Sequence, residues 1–365
     1  MRVVRLATAG FRNLEGGELH TDARFVVLSG ENGQGKTNLL EAVWTLATLR
    51  PLRGHRVKEL SAWGADHADV AAVVRSSDGQ RRLRLHLGAR RELVIDGEPT
   101  ADLAGWFKLL RAIAFTPQDA AIVTDEPERR RAWIDRAAFT AWPGHLDLVR
   151  VWQRALAHKA AALRQPRPDP DVLDALDGQL ARLGAEVATR RERLLDELRP
   201  HVDAMHQALT GGSGRLALEV VSPLAGQPLE VRVEGYARSL ARARPEELRR
   251  RTSLVGPQRD DLRLLLDGQP LRSFGSRGQV RTLVLALKLA ELLAAHARGD
   301  RPLFLLDDLS SELDRARTGR LVGVLGELDA QVWVTTTDPD HLGQLPGGEV
   351  ARVVLQGGRA VLGGS

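Results

Sequence analysis

The period of the apolar positions changes twice along the chain. Residues 3–6 and 24–28 are short β-branched or apolar runs that predict strands, the second leading straight into a glycine-rich turn. After that turn, Leu39, Leu40, Val43, Leu46 and Leu49 fall at helical spacing over 37–49. Strand-like runs return at 69–75, 81–87 and 92–95, with SSDG at 76–79 as a hairpin turn, and 111–115 predicts another. From about 127 to 250 the spacing is helical. Leu173, Leu176, Leu180, Leu183, Val187, Leu194 and Leu198 step by threes and fours as a heptad-like seam, and Val149, Trp152, Leu156 and Leu163 keep a similar step before it. The prolines of RQPRPDP at 164–170 cannot sit inside either helix, which predicts an antiparallel helical hairpin. About 28 residues at 1.5 Å each give roughly 40 Å, as a free arm or as a packed helical subdomain.

The last third returns to strand–helix alternation. Residues 261–266 and 302–306 predict strands, the second with the unbroken run of a buried parallel strand; 331–335 predicts one more, and 279–298 and 314–328 predict helices. The chain thus reads as α/β, with a main domain split into 1–135 and 251–365 around a helical lobe at 136–250.

Composition removes several function classes. The 365 residues contain no cysteine, which excludes a disulfide framework, a thiol nucleophile and cysteine-ligated metal. Lys288 and Glu291 interrupt the most apolar stretch, 282–297, so it cannot span a bilayer, and the first ten residues lack a signal-peptide pattern. A soluble cytoplasmic protein is expected. Of 52 basic residues 47 are arginine, and the pI is about 10 despite a net charge of +5. Codon bias explains most of that ratio, and a phosphate-bearing partner is the sharper reading.

Three motifs carry chemistry. Gly30-Glu31-Asn32-Gly33-Gln34-Gly35-Lys36-Thr37 matches the P-loop pattern in its required setting, after a strand and opening a helix. Its backbone N–H groups would cradle ATP phosphates. Lys36, an exposed cation at the loop–helix junction, would reach the β and γ oxygens, and the Thr37 hydroxyl would take a Mg²⁺ position. The apolar run 303–306 ends in Asp307 and Asp308, which places carboxylates at the sheet edge beside the P-loop: Asp307 for Mg²⁺, Asp308 as the catalytic group that orients or deprotonates the attacking water. Ser276, Gly278 and Gln279 precede a long helix, where a hydroxyl, N–H groups and the helix dipole suit an anion.

In this order the third element resembles the signature motif of ABC ATPases. Ser310-Ser311-Glu-Leu-Asp314 resembles their D-loop, and Gln118 their Q-loop glutamine. Within that class the chain resembles the RecF family of the SMC-like branch. The residues carrying the likeness are FRNLE at 11–15, GENGQGKTNLLEA at 30–42, FTPQD at 115–119, PERRRAWID at 127–135, VGPQRDDL at 255–262, SFGSRGQVRTLVLALKLAE at 273–291 and LLDDLSSELD at 305–314. The resemblance implies an ABC-type P-loop ATPase head with an inserted, short coiled-coil-like helical lobe. It implies ATP and Mg²⁺ as cofactors, with Gln118 a further Mg²⁺ contact. It also implies an ATP-driven homodimer in which Ser276, Gly278 and Gln279 complete the partner's site.

The function it implies is recombinational repair and replication maintenance: a clamp on gapped or single–double-strand junction DNA that helps RecR and RecO load RecA, within the DNA-damage (SOS) response. A slow ATPase, stimulated by DNA, would time the clamp. Asp308 stands where most ABC members have glutamate, and Thr337 where a switch histidine is common. Both departures fit slow hydrolysis. Arg50, Arg53, His55, Arg56 and Lys58 are the first candidates for DNA contact, ahead of Arg129–Arg131 and Arg249–Arg251, while Trp142 and Trp152 are expected in the core. A transporter-type ABC subunit would keep the histidine and lack GPxRDD, and a condensin-like ATPase would carry a far longer coiled coil.

Overall fold

A helix buried around its whole circumference must be covered on all sides, and helix Lys36–Thr48, buried at every residue from Leu39 to Ala47, is of this kind. In a computed structural model of the chain, which describes residues 1–54, 56–346 and 350–362, this helix touches strands of two six-stranded sheets. One sheet has the order Arg359–Leu362, Val350–Gln356, Phe25–Ser29, Val332–Thr336, Leu303–Leu306, Ala112–Phe115, and all its pairings are parallel except the edge hairpin. Phe25–Ser29, Val332–Thr336 and Leu303–Leu306 are buried at every residue, as strands covered on both faces must be. The other sheet is antiparallel, Gly17–His20, Arg2–Ala9, Ala68–Ser76, Gly79–Leu87, Arg91–Ile95, Glu98–Thr100, and Ala68–Ser76 alternates buried and half-buried positions as a one-sided sheet does. The Gln331 amide ties the two together: its oxygen accepts from Val3 N–H at 2.8 Å, and its nitrogen donates to the Val3 and Ala23 carbonyls.

Most expected elements are present within a residue or two. The pattern missed the short edge strands Gly17–His20 and Glu98–Thr100, strand Leu216–Val221 and the hairpin Val350–Gln356/Arg359–Leu362. The two edge strands have only four and three residues, too few for alternation to stand out from loop sequence.

The chain divides into two compact units, Met1–Ala120 with Ala204–Ser213 and Arg277–Ser365, and Ala121–Asp203 with Gly214–Ser276. The breaks therefore differ from 135/136 and 250/251. Segments 121–135 and 251–276 fall in the second unit, where their charged motifs bind each other. Arg130, 4% exposed, forks onto the Asp261 carboxylate at 2.7 and 3.0 Å, and Arg131 donates to the Asp260 carbonyl at 2.8 Å. Asp261–Leu266 then pairs with Leu216–Val221 and Gln269–Pro270 in a small antiparallel sheet. Arg130 and Arg131 thus have structural partners within their own unit, Arg129 stands 3.8 Å from Asp125, and Arg249 and Arg250 pair with Glu246.

The helical part is larger than a hairpin. Gly144–Leu163, Pro170–Thr210 and Leu229–Arg250 close on a core that includes Trp152, Leu180, Ala185, Tyr236 and Leu240. Pro170 opens its helix, where a missing N–H costs nothing, and the helix's 41 residues make about 60 Å at 1.5 Å each. Lys159, fully buried, bridges Glu247 at 2.5 Å and Asp177 at 2.6 Å and so joins all three helices. Trp142 is half-buried beneath the Arg193 guanidinium.

Asp135 takes two bonds from Arg191, at 2.7 and 2.8 Å, and lies 3.0 Å from the His145 ring. Burial opposes its charge, but Arg191 and His145 outweigh burial and bring its pKa down to about 2. A carboxyl depressed in the folded state stabilises above its unfolded value and loses that contribution as pH falls towards 2. Asp135→Asn should therefore cost about 2 kcal/mol at neutral pH and almost nothing near pH 2. Urea melts across that range check it.

Candidate functional site

Strand Phe25–Ser29 feeds the loop at 30–35, and helix Lys36–Thr48 leaves it. Gly30 sits at φ 138°, where a Cβ would stand 2.4 Å from the Leu355 carbonyl oxygen, so the loop can leave the sheet there only as glycine. The loop is braced from outside. Asn13 donates to the Gly33 carbonyl at 3.0 Å, while the N–H groups of Gly357 and Gly358 reach the Gln34 side chain at 2.5 Å and its carbonyl at 3.2 Å. Lys36 is not the exposed cation expected. It is 8% exposed, and its Nζ turns back to donate to the Gly30 and Glu31 carbonyls at 2.7 and 2.8 Å. Burial lowers its pKa, against the pull of Asp308 and Asp307.

Leu303–Leu306 is not the immediate neighbour of the P-loop strand; Val332–Thr336 lies between them. The gap is closed by the start of the helix, from which Thr37 Oγ1 donates to Asp307 Oδ1 at 2.8 Å. Thr335 Oγ1 donates to the same oxygen at 2.8 Å and accepts from the Asp308 N–H at 2.7 Å. Asp307 is 4% exposed, and burial raises its pKa, with Thr37 and Thr335 opposing. Asp308 has φ 54° and ψ 46°, a left-handed conformation that Asp tolerates better than most residues, and Ser311 Oγ donates to its carboxylate at 2.9 Å. Sequence reasoning missed Thr335. The threonine run 335–337 was the available signal, but nothing local distinguishes which hydroxyl turns inward.

The structure brings Lys36, Thr37, Asp307 and Asp308 to one sheet edge. Gln118 is exposed on the 3₁₀ turn Pro117–Ala120 after strand Ala112–Phe115, and that strand's last carbonyl accepts from Asp307 N–H at 2.9 Å. Ser276 is exposed immediately before helix Arg277–Ala297, and Gln279 is exposed in its first turn, with Gly278 half-buried between them. Further along this helix, Arg281 pairs with Glu312 at 2.8 Å, joining it to the segment that follows Asp308. Burial raises the Glu312 pKa, and the charges of Asp308 and Asp307 add to it. Thr337 Oγ1 lies 3.3 Å from Ser310 Oγ, so the residue at the switch position contacts the D-loop-like segment.

The first basic cluster divides. Fully buried Glu41 accepts from the N–H groups of Leu52 and Arg53 and from the Arg12 guanidinium. Arg53 in turn donates to Asn38 at 2.6 Å, and its charge lowers the Asp307 pKa, so Arg53 belongs beside the P-loop helix. Arg50, Arg56 and Lys58 are exposed, and His55 lies outside the described residues.

A split sheet with a P-loop at one strand end, a Thr–Asp pair closing on it and a Ser-x-Gly-Gln helix start defines an ATPase of the ABC class. Residues 2–358 match the family described as RecF/RecN/SMC N terminal domain. The DNA replication and repair protein RecF of Anaeromyxobacter sp. (strain Fw109-5) is 40% identical over 364 residues, 98% of each chain, and that of Geobacter metallireducens is 37% identical over 94% of each. Among solved structures, one described as the recombination mediator protein RecF-ATP in the RecFOR pathway has a TM-score of 0.89 at 24% identity, covering 99% of this chain and 97% of that one. The chain belongs to the RecF family of DNA replication and repair proteins. Among the described residues no helix is long and apolar enough to cross a membrane.

Proposed function

We propose that the chain is an ATP-dependent DNA-binding protein of recombinational repair, acting as a nucleotide-driven dimeric clamp on gapped or single–double-strand junction DNA. The observation that carries the reading is the 2.8 Å bond between Thr37 and Asp307, 270 positions apart, at the mouth of a P-loop. Lys36 and the loop N–H groups bind the ATP phosphates, and Asp308 acts on the attacking water. The donors beside the loop are a hydroxyl and a carboxylate. Such hard oxygens suit Mg²⁺, which keeps much of its shell as water and phosphate. Thr37 and Asp307 hold it, with Gln118 the further contact, and when bound it offsets phosphate charge. Arg53 serves the nucleotide rather than DNA.

Exposed Ser276 and Gln279 are the residues that cap the γ-phosphate of a second copy. DNA stimulates a slow hydrolysis that resets the clamp, and the clamp assists RecA loading with RecR and RecO. The test is binding to gapped and plain duplex with ATP, ADP and no nucleotide. Preference for gapped DNA only with ATP is expected, and equal binding in all arms sinks the reading.

Arg50, Arg56 and Lys58 form the DNA-facing cluster. Their contacts are to phosphates, so Arg56→Ala with Lys58→Ala should flatten the log–log salt dependence by about one unit per lost contact. An unchanged slope moves the DNA surface elsewhere.

A further inference from the structure

Strand Val332–Thr336 separates the P-loop strand from the acidic strand, and its fourth residue, Thr335, is 1% exposed. The parallel register pairs Leu306 with Val334, so positions 307 and 335 come next to each other along the two strands. A hydroxyl offers one donor and two acceptor positions. Thr335 uses its donor on Asp307 Oδ1, the oxygen that also accepts from Thr37, and accepts the Asp308 N–H. One buried atom is therefore bonded to two consecutive carboxylate residues. The Asp308 backbone is left-handed at φ 54°, so its N–H leaves the strand direction and the neighbouring strand meets it with a side-chain oxygen.

We propose that Thr335 is the positioning residue of this site. Its hydroxyl aims the Asp307 carboxylate at Thr37 and holds the Asp308 turn, so that the cation-facing group and the water-facing group keep a fixed relation. Thr335 itself touches neither nucleotide nor water. The proposal rests on the nucleotide reading above.

Thr335→Val is nearly isosteric within an apolar strand and removes both bonds, whereas Thr335→Ser keeps them. Lys36 and the P-loop are untouched in either variant. ATP affinity in EDTA should therefore match wild type in both. In Thr335→Val, the gain in ATP affinity on adding Mg²⁺ should shrink about tenfold, and turnover should fall between about tenfold and a hundredfold. Thr335→Ser should restore both. Calorimetric Kd values with EDTA and with Mg²⁺, alongside turnover, separate the outcomes. A role in stability alone would lower Tm and leave the Mg²⁺ dependence unchanged. Wild-type Mg²⁺ dependence and turnover in Thr335→Val overturn the proposal, as does failure of Thr335→Ser to restore them or an equal loss of affinity in EDTA. A wild-type protein that binds no ATP overturns the nucleotide reading itself, and the proposal with it. Should Thr335→Val not fold, Thr335→Ala is a second hydroxyl-free variant with the same expected outcomes.

Discussion

Lys36→Ala is expected to weaken ATP binding a hundredfold or more. The ammonium already holds the loop, donating to the Gly30 and Glu31 carbonyls at 2.7 and 2.8 Å. Its charge is kept close to Asp307 and Asp308 in a setting where burial disfavours it. Alanine removes the cation that offsets phosphate charge and leaves two loop carbonyls without their donor. A charge-assisted hydrogen bond contributes about 1.5–3 kcal/mol, and each 1.4 kcal/mol is a factor of ten. Two such contacts to phosphate oxygens, the role proposed for Lys36, therefore exceed a hundredfold. Lys36→Arg keeps the charge but cannot fit a planar fork into the same back-turned position, so it should rescue little. Calorimetry with ATP measures both variants, and unchanged affinity in Lys36→Ala removes the P-loop assignment. Helix Lys36–Thr48 keeps Leu39, Leu40, Val43 and Leu46 buried when Lys36 is truncated, so the variant should still fold.

Asp308→Asn should lower turnover by about two to three orders of magnitude while ATP still binds. A positioned general base is worth roughly 10²–10⁴ in rate. Asparagine is an unusually clean substitution here because it accepts the left-handed backbone at φ 54° at least as well as aspartate, and its amide oxygen can still accept from Ser311 Oγ. What changes is the side chain's negative charge and, with it, its basicity. With hydrolysis blocked, the ATP-bound dimer should persist, whereas ADP lacks the γ-phosphate that a second copy would cap. Ser276→Arg should bind ATP yet neither dimerise nor turn over, because the bulk and charge fall on the exposed helix start that, in the proposed dimer, would cap the second copy's nucleotide. Sedimentation of both variants with ATP, ADP and no nucleotide decides it. An Asp308→Asn protein that stays monomeric with ATP refutes the proposed ATP-driven dimer.

The chain's local patterns already determined its strand–turn–helix P-loop, its acidic strand and its long helices. Each is encoded in one short continuous stretch: three glycines before Lys36 and Thr37, the run 303–306 ending in two aspartates, and apolar residues at helical spacing from Leu173 to Leu198. What tertiary structure alone decided is the fate of individual polar side chains, because their partners lie far away in sequence. Arg53 and Arg130 look alike as members of basic runs, yet one donates to Asn38 beside the P-loop and the other forks onto Asp261, 131 positions on. The same holds for Gly357, which braces Gln34 from 323 positions away, and for Gly358 beside it. Periodicity reports which face of an element is buried, whereas a hydrogen bond needs both partners within about 3 Å. That distance is set only when the strands and helices are brought together.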